Sequence, residues 1–290
     1  KLLGSQAGRT LDTITREVIN GGSNVQYGEG QVTGRHLLVG GETTGNHYFT
    51  VRAVRKAVRF LKTMNAPRYE GSYWAIIHPD CSYDIQDDPD WKRPHEYKDT
   101  SNIYDDEIGK IAGVRFIETT EAKVFHADDL TEGARDLTVK SASGKVLTVN
   151  EVITTADAAK LAGREVVIGG ALLEIESAAA AAAGSATITL KEAPGTTPTA
   201  STAIYPGEAG AKGRNVYSTL IMGAEAYGTT ELTGGGLEHI VKPLGSAGTA
   251  DPLNQRATVG WKATKVAERL VEAYMIRVET TSTFDETPLT

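Results

Sequence analysis

The stretch YWAIIHPDCSYDIQ, residues 73–86, indicates the class of fold to which this chain belongs. Its first part, Tyr73 to His78, is a run of large and β-branched residues, which predicts a buried strand. Pro79 ends the strand, and residues 80–86 predict a helical turn directly after it. A buried strand that leads into a helix is typical of layered α/β architecture, so we expect a mixed α/β core.

Two helices are predicted upstream of this stretch. Residues 3–20 carry apolar side chains at steps of three and four, and Gly21-Gly22 ends the pattern. The second helix begins after Thr50, a suitable N-cap, and its apolar stripe runs to Met64. Between the two helices, residues 21–47 are rich in glycine, which predicts a long loop or short irregular strands.

Residues 126–214 differ in composition from the rest of the chain. Of the 19 aromatic residues in the sequence, only Tyr205 lies in this segment. Short β-rich runs separated by glycine turns predict a small β-barrel or sandwich, with one helical insert over 155–161. Strands are expected at 137–140, 146–149, 165–168, 172–176 and 186–190.

The regions on either side of this segment share the mixed pattern. After a polar segment over 87–106, short helices are expected around 107–111 and, beyond the insertion, at 216–224. Strands are expected at 114–118, near 237–241 and over a long β-rich end at 257–281. Because the mixed pattern stops before residue 126 and resumes at Val216, the sequence predicts an α+β (mixed α/β) host with an inserted all-β domain.

Charge and composition exclude several classes of protein. Lys and Arg number 30 against 37 Asp and Glu, a net charge of −7, so unspecific binding of nucleic acid by the whole surface is excluded. No apolar run reaches membrane-spanning length, and we expect neither a signal peptide nor a membrane partner. The single cysteine, Cys81, rules out an internal disulfide framework.

One helix carries a local concentration of positive charge. Five basic residues and no acidic residue lie between positions 50 and 64. Such a stripe is either a solvated helix face or a contact surface for an acidic partner. An acidic segment follows residue 86. Together, the basic stripe and this segment form the candidate interaction set: Arg52, Arg55, Lys56, Arg59, Lys62, Asp87, Asp88 and Asp90.

Catalytic motifs are absent or incomplete. No phosphate-binding loop is complete, and no two histidines have the spacing of a local zinc-ligand pair. His78 and Asp80, perhaps joined by Glu107, are the best candidates for a metal-assisted hydrolase, although His and Asp around a proline more often close a turn. Cys81 lacks a recognisable general base. We therefore expect no catalytic residues, no bound metal, no cofactor and no enzymatic activity.

Several stretches, taken together and in this order, resemble the major capsid proteins of tailed bacteriophages, in the branch related to coliphage N-four. They are QAGRTLDTITREVINGGSNV (6–25), IIHPDCSYDIQDDPDW (76–91), NIYDDEIGKIAGVRFIET (102–119) and VYSTLIMGAEAYG (216–228), with DPLNQR (251–256) and VGWK (259–262) as a fifth match. The resemblance covers about residues 2–125 and 215–284. It leaves the predicted β-rich insertion unmatched.

The resemblance implies the Hong Kong 97-type capsid fold. Residues 1–49 and 235–290 would form a peripheral domain with a spine helix and long strands, the latter over 257–281. Residues 50–125 and 215–234 would form an axial domain, and residues 126–214 its β-rich insertion. Capsid subunits of this kind also carry an N-terminal arm and an extended loop ahead of the spine helix, neither of which we expect within these residues.

The implied function is that of a structural protein. Copies of the chain would assemble as pentamers and hexamers into an icosahedral head around double-stranded DNA, inside the host cytoplasm, and remain in the virion. Scaffolding, portal or decoration proteins are further expected partners. Three alternatives stay open at this point: the hydrolase centred on His78 and Asp80, a binding module presented by residues 126–214, and a cellular compartment shell of the same fold.

Overall fold

The computed structural model describes residues 2–40, 47–96, 109–231, 236–246 and 255–284. Five α-helices lie in these ranges: α1 (Leu2–Asn20), α2 (Val51–Thr63), α3 (Pro79–Asp87), α4 (Pro89–Glu96) and α5 (Thr155–Leu161). None of the helices so described is long and apolar enough to cross a membrane.

The same ranges contain seventeen strands, which form four sheets. In chain order they are β1 (Val25–Tyr27), β2 (Tyr73–Ile77), β3 (Lys110–Ile111), β4 (Val114–Glu118), β5 (Val124–Phe125), β6 (Leu137–Ser143), β7 (Val146–Val149), β8 (Glu165–Ile168), β9 (Ala171–Ala179), β10 (Ala186–Leu190), β11 (Ala203–Pro206), β12 (Val216–Met222), β13 (Tyr227–Glu231), β14 (Glu238–Lys242), β15 (Thr258–Lys262), β16 (Lys265–Arg269) and β17 (Met275–Thr280).

The central sheet is mixed. Its strand order is β1-β17-β12-β2-β4-β3, and β5 also pairs with β12. β1 runs parallel to β17 and β2 runs parallel to β4, whereas β12 is antiparallel to its neighbours. Strands from both ends of the sequence therefore meet in one sheet, which confirms the mixed α/β core.

Helix α2 covers one face of the central sheet. Thr50 caps it, since its Oγ1 accepts a hydrogen bond from Ala53 N at 3.2 Å. The apolar residues of α2, such as Val54, Val58 and Leu61, are buried in the main hydrophobic core with Tyr73 and other residues of the sheet. Burial of this stripe anchors the helix rigidly and turns its remaining side chains to solvent.

Helix α1 covers part of the opposite face of the sheet. Ile19, near its end, packs with Leu220, Met222 and Met275 in a smaller core. Gly21 N donates to Glu17 O at 3.1 Å and closes the last turn. Since α2 and α1 lie on opposite faces, all seven residues of β12 between them are buried.

The insertion is a closed six-stranded barrel, β10-β7-β6-β11-β8-β9. It has its own hydrophobic core, which includes Leu147, Ile175 and Ile188. Thr154 and Asp157 form a reciprocal capping box at the start of α5. Along the chain, the barrel follows β5 and precedes β12. These two strands pair with each other, since Phe125 of β5 is the register partner of Val216 of β12. The segment predicted to form a small β-barrel or sandwich thus forms a barrel, while the limits 126–214 of the insertion as a domain stay a prediction.

Several local expectations were wrong. Residues 216–222 form the strand β12 and not a helix, because a fully buried apolar run between β17 and β2 is satisfied by sheet pairing. Lys110 and Ile111 form the strand β3, while residues 107 and 108 lie outside the described residues. The polar segment after Asp87 contains helix α4. These segments are short, and periodicity alone separates helix from strand poorly at this length.

The C-terminal β-rich end is divided between sheets. β15 and β16 pair with β14 and β13, as two-stranded sheets. β17 instead pairs with β12 and β1 inside the central sheet. Part of the segment expected in a peripheral sheet, 275–280, therefore belongs to the central one. The division of the chain into peripheral and axial domains stays a prediction.

Candidate functional site

The solvent face of α2 is basic along its whole length. Each of the five predicted cations is exposed, and the Arg52 side chain reaches 81% exposure. Their spacing of three and four residues places them on one face, opposite the buried stripe. We call this surface, formed by Arg52, Arg55, Lys56, Arg59 and Lys62, the α2 basic face.

Two acidic side chains of the same chain contact the α2 basic face. Glu29 Oε2 lies 3.4 Å from Arg52 Nε, and the Glu29 carbonyl accepts from Lys56 Nζ at 2.8 Å. Asp90 Oδ2 lies 3.3 Å from Arg55 Nη1. Neither Arg59 nor Lys62 forms an ion pair with any residue that the structure describes. The positive charge of this face is thus only partly neutralised.

The acidic segment has mainly local tasks. Asp88 Oδ2 accepts from Val51 N at 2.9 Å, and its Oδ1 accepts from Asp90 N at 2.8 Å. One carboxylate therefore serves the first turns of α2 and α4 together. Asp87 pairs with Lys92 at the surface. The sequence leaves two roles open for the basic stripe: ion pairs with such an acidic segment of a neighbouring subunit, or contact with packaged DNA. The structure joins Arg55 and Asp90 within one chain, and both roles stay predictions.

The His78–Asp80 corner is a helix cap. His78 Nδ1 accepts from Asp80 N at 3.2 Å and starts α3. Burial lowers the pKa of His78, although Asp80 and Glu118 act in the opposite direction. Among the described residues no group of three His, Cys, Asp or Glu side chains could hold a metal ion, and Glu107 lies outside them. The geometry gives the hydrolase hypothesis no support.

Cys81 has the environment of a core residue. It is fully buried, and its Sγ lies 3.7 Å from Thr280 Oγ1. Burial raises the pKa of its thiol, so the thiolate that a nucleophile requires is disfavoured.

A groove of about 250 Å³ separates α1 from the central sheet. Ile76 and Leu220 contribute apolar side chains to its lining. Its cationic lining residues are already occupied: Arg16 Nη1 donates to Glu121 O at 2.8 Å, and Lys123 Nζ lies 2.8 Å from Glu17 Oε2. These contacts fasten α1 to the sheet.

A buried ion cluster joins the barrel to the central sheet, and no sequence signal pointed to it. Glu279 in β17 is fully buried and lies 2.7 Å from both Arg35 Nε and Arg277 Nε. Arg35 Nη1 also donates to Glu208 O of the insertion, and its guanidinium lies 3.4 Å from the centroid of the Phe125 ring. Since Arg35 and Glu279 are 244 positions apart, spacing cannot reveal the cluster.

The described residues thus form two packed units, the central sheet with its helices and the barrel, which hydrogen bonds and ion pairs connect. The phage capsid protein family matches residues 1–230, and the chain belongs to that family. Its function is accordingly a structural one in the phage capsid. The mixed α/β architecture is consistent with the Hong Kong 97-type fold that the sequence resemblance implied.

Two of the solved structures to which the chain is similar are phage capsids. The chain is similar to the capsid of cyanophage P-SCSP1u, with a TM-score of 0.49 and 12% identity over 97% of this chain and 64% of that one. It is also similar to the capsid of Ralstonia phage GP4, with a TM-score of 0.44 and 10% identity over 91% of this chain and 54% of that one. The chain thus spans less than two thirds of either. No curated protein matches it.

Proposed function

We propose that this chain is a shell subunit that assembles with identical copies, as pentamers and hexamers, into a head around double-stranded DNA, and that the α2 basic face lies against that DNA. Family membership supports the shell, and the exposed cations of α2 support the orientation. No catalytic role belongs to the proposal. Scaffolding, portal and decoration proteins, and assembly in the host cytoplasm, remain predictions of the family resemblance.

The α2 basic face fits a phosphate backbone. Residues 52–62 span about 15 Å of helix axis, and a DNA duplex presents about one charge per 1.7 Å. The buried stripe fixes the helix on the sheet, so its cations are presented without ordering a loop. Contacts to phosphate are independent of sequence, as packaging of a whole genome requires.

The test compares two neutralised variants. Arg59→Gln/Lys62→Gln removes two cations from the α2 basic face, and Lys140→Gln/Lys160→Gln removes two exposed cations from the barrel. The binding constant for duplex DNA is measured as a function of salt concentration. It is measured for the free subunit and for assembled protein whose interior surface is accessible to DNA. We expect the slope of log K against log salt to fall by about two for the α2 variant and to stay unchanged for the barrel variant. Equal slopes for both variants would refute the DNA-facing orientation.

A further inference from the structure

The barrel is tethered to the central sheet by two segments of chain. The chain enters the barrel after Phe125 of β5, and residues 207–215, which we call the exit segment, lead from β11 back to β12. Because β5 and β12 pair with each other, the two tethers leave the sheet side by side. Tethers in this arrangement form a hinge, about which a separately packed unit turns unless further contacts hold it.

The exit segment is bound to the barrel through Glu208. Arg164, directly before β8, donates from Nε to Glu208 Oε1 at 2.6 Å. Arg164 Nη1 also donates to Asp129 O at 2.8 Å, so one guanidinium holds the chain where it enters the barrel and where it leaves. A movement of the exit segment relative to the central sheet is therefore also a movement of the barrel.

Residues 35–38 of the host contact the exit segment, and we call them the clasp. Leu38 is fully buried, and its carbonyl accepts a hydrogen bond from Ala211 N at 2.8 Å. At the other end of the clasp, Arg35 Nη1 donates to Glu208 O at 3.3 Å. The clasp thus holds the exit segment at two points.

The clasp is fixed to the central sheet by a buried carboxylate that contacts two cations. Arg35 donates two hydrogen bonds to Glu279 of β17, from Nε at 2.7 Å and from Nη2 at 2.8 Å. Arg277 Nε lies 2.7 Å from the same carboxylate, although its N–H forms no hydrogen bond with any residue that the structure describes. Two guanidinium groups therefore share one carboxylate, and Arg35 binds it with the better geometry.

The second cation lowers the free-energy cost of opening the clasp. A buried carboxylate that loses its only cation is strongly unfavourable, because nothing then offsets its desolvation. When Arg35 leaves, however, Glu279 remains beside Arg277. The Arg35 side chain is itself 24% exposed, so its guanidinium is already in contact with water. The clasp can therefore open while the central sheet stays folded.

We infer that the clasp is a conformational switch that controls the orientation of the barrel. In the closed state, Arg35 binds Glu279 and the barrel is fixed on the central sheet. In the open state, Arg277 alone neutralises Glu279 and the barrel turns about the two tethers. The inference concerns a single copy of the chain, so it succeeds or fails independently of the proposed assembly and DNA contact.

The first test measures opening of the clasp by hydrogen exchange. Leu38 O protects the Ala211 amide only while the clasp is closed. Arg35→Gln and Arg277→Gln are matched variants, because each removes one of the two cations from Glu279 and only the first removes it from the clasp. We expect the exchange rate at Ala211, measured by NMR, to rise at least about tenfold in Arg35→Gln and to stay within about twofold of the parent in Arg277→Gln.

Exchange inside the barrel distinguishes opening of the clasp from unfolding. Ile175 is fully buried, and its N–H donates to Arg164 O within the barrel at 2.9 Å. The exchange rate of this amide should be the same in the parent and in both variants. A rate that rises as much at Ile175 as at Ala211 in Arg35→Gln would indicate unfolding and would overturn the inference.

The second test measures the orientation of the barrel directly. Cys81 is the only cysteine and is buried, so spin labels can be attached selectively to Thr63→Cys in α2 and Ala159→Cys in α5, both exposed positions. Double electron–electron resonance then gives the distribution of distances between the two units. We expect one narrow distribution in the parent and in Arg277→Gln, and a broader or second distribution in Arg35→Gln.

The other outcomes count against the switch. A distribution as narrow in Arg35→Gln as in the parent would show that other contacts fix the barrel. Equal broadening in Arg35→Gln and Arg277→Gln would show that neutralisation of Glu279, and not the clasp, determines the orientation. A parent that already has a broad distribution would show that the clasp does not hold the barrel. Failure of Arg35→Gln to fold, while Arg277→Gln folds, would also overturn the inference, because opening would then require unfolding.

Discussion

At the scale of the residue, neighbouring positions of β12 differ sharply in hydrogen bonding. Thr219 Oγ1 is buried and has no partner among the residues that the structure describes. Ser218, on the opposite face, donates its hydroxyl to Asn20 Oδ1 at 2.6 Å and so ties β12 to α1. A buried hydroxyl without a partner retains its desolvation cost, whereas a paired one offsets it.

Thr219→Val should therefore be neutral or should stabilise the protein by up to about 1 kcal/mol, since valine has the same shape and no hydroxyl to bury. Ser218→Ala should instead lower the free energy of unfolding by about 1–2 kcal/mol, because Asn20 loses its donor. Urea denaturation of both variants measures the difference. A loss of stability for Thr219→Val equal to that of Ser218→Ala would contradict the assignment.

His78 links residue chemistry to pH. Its folded pKa is lowered by burial, so the unfolded chain takes up the proton first as the pH falls. The contribution of His78 to stability is complete above its unfolded pKa of about 6.5 and is lost progressively as the pH falls below that value toward the folded pKa. Protonation also turns the capping acceptor Nδ1 into a donor.

His78→Asn should remove this part of the acid sensitivity, because asparagine caps helices and does not titrate in this range. Thermal unfolding between about pH 7 and 5 should thus show a shallower loss of stability than in the parent. His78→Ala is the matched control, because alanine neither titrates nor caps the helix. Its stability should depend on pH as weakly as that of His78→Asn, but it should be less stable than His78→Asn at every pH. An unchanged pH profile in His78→Asn would count against the role of His78.

At the scale of the element, the turn between α3 and α4 acts as a shared cap. Through its two oxygens, Asp88 accepts from the N-terminal residue of α2 and from the first turn of α4. The α2 basic face is therefore positioned by a carboxylate from elsewhere in the chain. Sequence reasoning selected Asp88 for its charge, while the structure uses its geometry.

Asp88→Ala should lower the free energy of unfolding by about 1–2 kcal/mol, since two backbone donors lose their acceptor. Asp87→Ala is the matched neighbour. Its side chain is 71% exposed and pairs only with Lys92 among the described residues, so its loss should cost less than about 0.5 kcal/mol. Chemical denaturation of the two variants provides the comparison. Similar losses in both would show that the cap is energetically unimportant.

Elements also show where local pattern was sufficient. The apolar stripes of α1 and α2 were readable because a helix records its buried face every three to four residues, and Thr50 was readable as the cap of α2. β12 was misread as a helix because a strand buried on both faces has no alternation. Only its neighbours on both sides determine its conformation.

At the scale of the whole molecule, the chain enters and leaves the barrel through one strand pair, β5 and β12. Phe125 and Val216 are register partners, and His126 Nδ1 lies 3.1 Å from Asn215 Oδ1 directly beyond them. The barrel and the central sheet have separate hydrophobic cores. Contacts such as Ala211 N to Leu38 O, at 2.8 Å, hold the two units together.

Replacement of residues 127–214 by Asn-Gly should leave a folded host, because a two-residue turn can join antiparallel β5 and β12 directly. We expect one cooperative unfolding transition, with some loss of stability from the missing contacts to Arg35 and Leu38. The isolated segment 127–214 should also fold, as its core is complete. Circular dichroism and calorimetry of both fragments measure this. A host without a cooperative transition would refute the modular organisation.

By itself, the sequence determined helices α1 and α2 with the Thr50 cap, the buried strand at 73–77, the β-rich nature of the insertion and the positive charge of α2. Each of these features depends on residues that are close together in the sequence, where conformational propensity and hydrophobic periodicity can be recognised directly. Only the tertiary structure decided the burial of Glu279 between Arg35 and Arg277 and the strand conformation of β12. These features depend on contacts between segments that are far apart in the chain. Such contacts produce no periodic pattern within any one segment, so the sequence pattern does not reveal them.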